Sequence, residues 1–245
     1  MKITALYRHP IKSHGREALT QTRLTEGQAM PFDRLWAIAH DHSKADGSAW
    51  APYANFSRVS KAPSLMAITA TLDETTERVT LNHPAQPSVT LHPEKDADAL
   101  LTWVMPLVPQ DRALPARILR LEDRGFTDTP YASVSLCNTA SHRAVESLQM
   151  APLSPHRWRG NIWFDGDAAW QEFDWIDRDL RLGDAILRVK ERAVRCAATT
   201  ANPDTGERDV DTLRTLNILG HQDFSVYCSV IKSGTVAVDD KLELI

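Results

Sequence analysis

At 245 residues the chain is long enough to bury a sizeable core without metal or disulfide staples. Apolar residues make up 42% and charged residues 24%, an ordinary globular balance, and no run of about 18 apolar residues is present to span a membrane. A formal net charge of -4 argues against nucleic-acid binding by bulk electrostatics, so an anionic ligand must meet a local cluster of cations.

In chain order, "KITALYRH" reads as a first strand that breaks at Pro10, and "RLWAIAHD" as a second. Strands in meander style follow within "SRVSKAPSLMAITATLD", "ERVTLNH" and "PSVTLHP". "DADALLTWVM" is a short helix with acidic residues in its first turn, and "ARILRLE" is another strand. A break at 110–130 separates a smaller N-terminal β unit from the rest. "YASVSLCNTASHRAVESLQM" is a strand and then a helix capped by Asn138, with Ser141, Ala144, Val145 and Leu148 on its inner face. "GNIWFDG" and "DAILRVKERAV" are strands, and "DVDTLRTLNILG" is a short helix ended by Gly220. The tail "FSVYCSVIKSGTVAVDDKLELI" reads as a hairpin around "KSG". Many short strands and few helices indicate a β-rich, barrel-like fold.

Cys137, Cys196 and Cys228 are an odd number with no CxxC pair, a poor framework for disulfides, zinc or an iron–sulfur cluster. The opening "MKITALYRHPIKSHG" brings charge, Pro and Gly too early for a signal peptide, so a cytoplasmic location is expected. His9 with His14, and His40 with His42, lack further zinc ligands at a usable spacing. No G-x-S-x-G, P-loop, Rossmann glycine pattern or H-E-x-x-H occurs.

Three stretches carry chemistry-bearing residues. "HPIKSHG" is either a plain surface loop or one that offers Lys12 and Ser13 as donors to phosphate or oxo groups. "RWRGNIWFDG", read as extended, sets Arg157, Arg159 and Asn161 on one side. Such a face is either solvated or matched to an anionic or heteroaromatic partner. In "AVRCAATTANPDTGERD", Cys196 follows Arg195 and precedes two threonines and a Pro-Asp-x-Gly turn. A core cysteine needs none of these neighbours, whereas an adjacent cation favours a thiolate.

Together and in this order, "HPIKSHG", "DRLWAI", "RWRGNI", "RLGDAILRVKERAVRCAATTANPDTG" and "FSVYCSVIKSGTVAVDDKLEL" resemble the MOSC domain with its N-terminal β-barrel. That is the architecture of the mitochondrial amidoxime-reducing component and its bacterial relatives, and of the C-terminal part of molybdenum cofactor sulfurase. The resemblance implies a mainly β (α+β) fold: a MOSC-type β-barrel core over 116–245, a smaller N-terminal β-barrel-like domain over 1–115, and a few short helices.

It also implies a molybdenum cofactor (Mo-molybdopterin), with Cys196 as the catalytic ligand to the metal, a soft donor beside the pterin sulfurs. Lys12, Ser13, Arg34, Arg159, Asn161 and Tyr227 are the implied cofactor-binding residues, and Thr199, Thr200 and Asp204 would shape the wall beyond the thiolate. The implied activity is reduction of N-oxygenated (N-hydroxylated) small molecules by oxygen-atom transfer. The implied partner is a separate reductase- or ferredoxin-like electron donor, because the chain ends at Ile245 with no room for a [2Fe–2S] domain. Neither nucleic acid nor membrane is an expected partner. The alternative is a sulfur-carrier or cofactor-delivery protein with a persulfide on Cys196. Three positions depart from the family pattern: His14 in place of a second cysteine, Gly160 in place of proline, and Asn202 in place of aspartate.

Overall fold

The computed structural model describes residues 1–122 and 124–245. Among the described residues three α-helices are set among fifteen strands, so the mainly β expectation holds. Eight strands share one sheet: β1 (Ile3–Arg8), β2 (Glu17–Leu19), β9 (Val134–Asn138), β10 (Ile162–Phe164), β11 (Asp179–Leu182), β12 (Ala185–Val194), β13 (Asp223–Lys232) and β15 (Leu242–Leu244). Their order is β15-β11-β12-β13-β9-β10-β1-β2. β9 is buried at all five positions because it lies mid-sheet with both faces covered, which is why "VSLCN" reads as a continuous run. β10 pairs with it in parallel, after a crossover through helix α2 (Thr139–Gln149). Asn138 caps α2 as the sequence indicates, accepting from the Ala140 amide at 2.9 Å.

The two edge strands, β2 and β15, do not pair with each other, so this ladder is not a closed barrel. The sheet nevertheless curls, and Lys2 beside β1 bridges to Lys241 beside β15. A core of Ile3, Leu6, Leu136, Phe164, Leu187, Val226 and their neighbours fills it.

A second core is built mainly from the N-terminal half. β4 (Trp36–His40) pairs with β8 (Pro115–Arg120), while β5 (Thr69–Asp73), β6 (Arg78–His83) and β7 (Gln86–Leu91) form the expected meander. Helix α1 (Ala97–Val104) covers them with Leu100, Trp103 and Val104. Trp36, Ile38, Leu65, Met66, Val79 and Leu81 are buried beneath.

Three local expectations fail for physical reasons. The tail is not a hairpin: β14 (Gly234–Ala237) pairs with β3 (Gln21–Leu24), and β15 with β11. Only Ser233 separates β13 from β14, so the chain turns a corner there rather than folding back. A β-carbon on Gly234 would stand 2.3 Å from the Ala185 nitrogen, so only glycine lets this corner cross the β11–β12 turn. "RWRGN" is not extended either. Pro155 opens a 3-10 turn, Pro155–Trp158, and the strand begins only at Ile162. Leu148 is exposed, because α2 meets the sheet only through its first two turns.

Candidate functional site

The loops that follow β1, precede β4, β9 and β10, and follow β12 meet at the seam between the two cores. The bend after β1 is fixed by its main chain: the His9 amide donates to Asp33 Oδ1 at 2.8 Å and the Lys12 amide to Trp36 O at 2.7 Å. This buries Lys12, whose Nζ donates to Phe126 O at 2.8 Å and to Asp128 Oδ1 at 2.5 Å. Burial lowers the proton affinity of this ammonium, and Asp128 opposes that shift.

Arg34 adopts a left-handed backbone (φ 55°). Its Nη1 bonds the buried Asp33 carboxylate, and its Nη2 donates to Arg159 O at 3.1 Å. Burial alone would raise Asp33, but Arg34 and two bonds from His9 hold it far below the carboxylate range. Arg159 is also left-handed (φ 50°), which aims its guanidinium back at Gly15 O, 3.3 Å from Nη2. Its Nη1 is buried with no partner among the described residues. Burial and the neighbouring Arg34 cation push Arg159 down to about 9. Arg195 donates to Trp158 O and lies over the Trp158 ring, 5.9 Å from its centroid, with Nε buried and unpartnered. Two consecutive carbonyls, Trp158 and Arg159, therefore each receive a guanidinium.

Ser13 joins Arg34 and Arg159 in the left-handed region (φ 65°). Such a backbone costs on the order of 1–3 kcal/mol at a non-glycine residue and persists where surrounding structure imposes it. Three of the sequence-selected residues carry it.

The other selected residues divide by what their polar groups do. Asn161 is buried and committed to the scaffold: Oδ1 accepts from the Ser135 amide and hydroxyl at 3.1 and 2.9 Å, and Nδ2 donates to Tyr7 O at 3.2 Å. Cys196 is exposed and heads a 3-10 turn, Ala197–Thr200. Thr199 Oγ1 donates to Cys196 O at 3.1 Å and pairs with Thr212 Oγ1 at 2.6 Å, while Thr200 Oγ1 donates to Ala197 O at 2.9 Å. Both threonines thus hold the thiol's turn from behind. Asn202 Oδ1 accepts from the Asp204 amide at 2.8 Å, doing the work expected of an aspartate there. Asp204 itself lies 3.8 Å from Arg16 Nη2. Tyr227 is half-buried, its phenol pKa raised by burial and by Asp128.

Arg157 parts from Arg159 because the segment is a turn: it bonds Asp209 Oδ2 at 2.6 Å. Cys137 and Cys228 are buried and their thiols are pushed up, Cys137 to about 12, which leaves Cys196 as the accessible thiol. His9 binds Asp33, and His14 Nδ1 donates to Lys12 O at 2.7 Å. Glu77, His92 and Glu94 do cluster within 4.8 Å of one another, but Arg120 already bridges both carboxylates, at 2.6 and 3.1 Å.

Asp128 is the residue the sequence reading missed. A lone aspartate in "FTDTP" carries no motif; the available signal was that a buried Lys12 requires an acidic partner. Arg124 also went unnoticed. It staples the 124–131 loop through Pro130 O and Thr129 O, each at 2.8 Å.

The seam thus gathers Lys12, Arg34, Arg159 and Arg195, and among the described residues Arg159 Nη1, Arg195 Nε and His14 Nε2 are buried without a partner. An anionic heteroaromatic group with ring N–H donors fits that set, and the Cys196 thiol offers a soft ligand for a metal.

Fold and site define a mainly β protein with a cluster of cations at the seam between its cores and one accessible cysteine. The chain belongs to the MOSC family: residues 1–107 match the MOSC N-terminal beta barrel domain and residues 123–243 the MOSC domain. It is similar to the molybdenum cofactor sulfurase of Drosophila mojavensis, 32% identical over 114 residues, covering 46% of this chain and 14% of that one. The sulfurase of Drosophila pseudoobscura pseudoobscura is 30% identical over 104 residues, covering 42% and 13%. This chain therefore spans about a seventh of those relatives. Among solved structures it is similar to the YUAD protein of Bacillus subtilis (11% identity, 99% of this chain and 94% of that, TM-score 0.45). It is also similar to YiiM of Geobacillus stearothermophilus (16% identity, 46% and 53%, TM-score 0.36). No helix among the described residues is long and apolar enough to cross a membrane.

Proposed function

We propose that the cleft binds the molybdenum cofactor and that the chain is an oxidoreductase reducing N-hydroxylated small molecules. The supporting observation is a cluster of cations around one carboxylate: Lys12 bonds Asp128, the charges of Arg34, Arg159 and Arg195 act on the same group, and Cys196, next in the chain to Arg195, is exposed. Lys12, Ser13, Arg34 and Arg159 would hold the cofactor's anionic end, with Tyr227 beside them. Cys196 would supply a soft thiolate ligand to the metal. Asn161, Thr199 and Thr200 would contribute by fixing the β9–β10 junction and the cysteine turn. When bound, the cofactor supplies two-electron oxygen-atom-transfer chemistry, so no protein nucleophile is required. Electrons would come from a separate reductase- or ferredoxin-like protein in the cytoplasm.

The test is to express the chain in a host that makes the cofactor, then measure molybdenum, oxidised-pterin fluorescence and reduction of an N-hydroxylated base with a chemical reductant. A protein that contains no metal and takes up no cofactor on reconstitution refutes the reading. The exposure of Cys196, together with the sulfurase relatives, supports a second reading, a persulfide carrier. A persulfide mass shift on Cys196 without turnover would decide for it.

A further inference from the structure

We infer that Asp128 is an internal anion that fills the cationic cleft when no ligand is bound, and so determines which ligands enter. The inference rests on the anion-binding reading of the cleft. Lys12 is 4% exposed, and a buried ammonium left without a partner is strongly unfavourable. Its two partners are Phe126 O at 2.8 Å and Asp128 Oδ1 at 2.5 Å, and only the second carries charge. The same carboxylate faces the charges of Arg34, Arg159 and Arg195. A ligand phosphate bound by Lys12 would have to replace it.

The pair is unequal. The Lys12 side chain is 5% exposed, whereas that of Asp128 is 44% exposed. Lys12 has nowhere to go, but Asp128 reaches solvent by rotating its own side chain. The backbone beneath it does not have to move. Arg124 staples the loop, Phe126 packs on Phe56 at 4.8 Å, and Gly125 (φ 59°) is pinned where a β-carbon would stand 2.4 Å from Asp33 O. Entry is therefore an exchange of one anion for another on a fixed set of donors. A phosphate or pyrophosphate group supplies the charge and acceptors that Lys12 loses. A neutral or charge-diffuse ligand does not, and Asp128 keeps it out.

The test uses the full-length chain without cofactor and inorganic pyrophosphate as the probe, followed by calorimetry and thermal unfolding. Asp128→Asn should bind pyrophosphate at least tenfold more tightly than the wild type. Without probe it should unfold at a lower temperature, because Lys12 has lost its counter-charge, and pyrophosphate should restore that loss. Adding Lys12→Ala should abolish the tighter binding. Asp128→Ser, with a short neutral side chain at this half-exposed position, substitutes if the asparagine variant folds poorly. Equal or weaker binding by both Asp128 variants, with wild-type binding intact, overturns the role of Asp128 and leaves the cleft reading standing. Tighter binding that survives Lys12→Ala places the anion elsewhere and also overturns it. Failure of wild type and variants alike to bind the probe overturns both.

Discussion

The sulfur of Cys137 lies 2.1 Å from the position a β-carbon on Gly160 would occupy. The two residues are a matched pair across neighbouring strands, since Cys137 lies in β9 and Gly160 just before β10. This explains why glycine stands where the family resemblance implies proline: proline also has a β-carbon, and here the thiol has taken its space. Gly160→Ala should destabilise the protein by about 1–3 kcal/mol through overpacking. In a Cys137→Ala background the same change should cost less than half as much. Urea unfolding of the four proteins measures this, and an equal cost in both backgrounds would show that the contact is not the cause.

Acid sensitivity should arise at His14. Burial, with the Arg159 cation adding to it, holds His14 down at about 4 against an ordinary 6.5, despite its bond to Lys12 O. Between pH 6.5 and about 4 the unfolded chain takes up a proton on this residue and the folded chain does not. Stability is therefore lost as pH falls through that window. His9, held near 3 mainly by burial and Arg159, adds a second such proton and extends the loss downward. His14→Gln should reduce the slope of unfolding free energy against pH by about one proton between pH 4 and 6. An unchanged slope would show that folding does not lower the proton affinity of His14.

What the sequence disclosed follows from how local each feature is. β1, β4 to β9, α1, α2 and a third helix, α3 (Thr212–Ile218), were legible because periodicity and caps such as Asn138 and Gly220 act within a few residues. The pairing of β14 with β3 was not, because it depends on Gly234 meeting Ala185 in space, some fifty positions away. In the site, Lys12, Arg159 and Cys196 stand out in short chemistry-bearing stretches, whereas Arg34 and the role of each came from the family resemblance. Period-two reasoning wrongly put Arg157 beside Arg159, since Pro155 had already turned the chain. Asp128 was invisible because its partner is 116 residues distant.

Neutralising Lys12 or Arg159 should lower cofactor occupancy without unfolding the chain. Each charge-assisted hydrogen bond to an anion is worth roughly 1.5–3 kcal/mol, so about tenfold or more in affinity. Arg159→Ala should cost the ligand-free fold little, since the bond lost to Gly15 O is offset by removing a cation that Arg34 repels and whose Nη1 has no partner among the described residues. Metal analysis and oxidised-pterin fluorescence report occupancy, and circular dichroism reports the fold. Full occupancy in the Lys12→Ala, Arg159→Ala double variant would put the site elsewhere.

Cys196→Ala should separate the functional readings more cleanly than any other change. The thiol is exposed, and the turn beneath it is held by Thr199 and Thr200 through main-chain carbonyls rather than through sulfur. The substitution therefore leaves the turn in place, with a stability change of about 1 kcal/mol or less. If Cys196 is the metal's thiolate ligand, N-reduction is abolished because the metal loses a soft donor that sets its geometry and potential. Pterin should partly remain, since Lys12, Arg34 and Arg159 are untouched. If Cys196 is a persulfide carrier, cofactor binding is unchanged and only sulfur transfer disappears. Cys137→Ala and Cys228→Ala are the controls. Both thiols are buried and pushed up by burial, so both variants should retain activity. Pterin fluorescence, metal content and turnover measured on all three variants distinguish the cases, and an active Cys196→Ala enzyme would end the thiolate-ligand assignment.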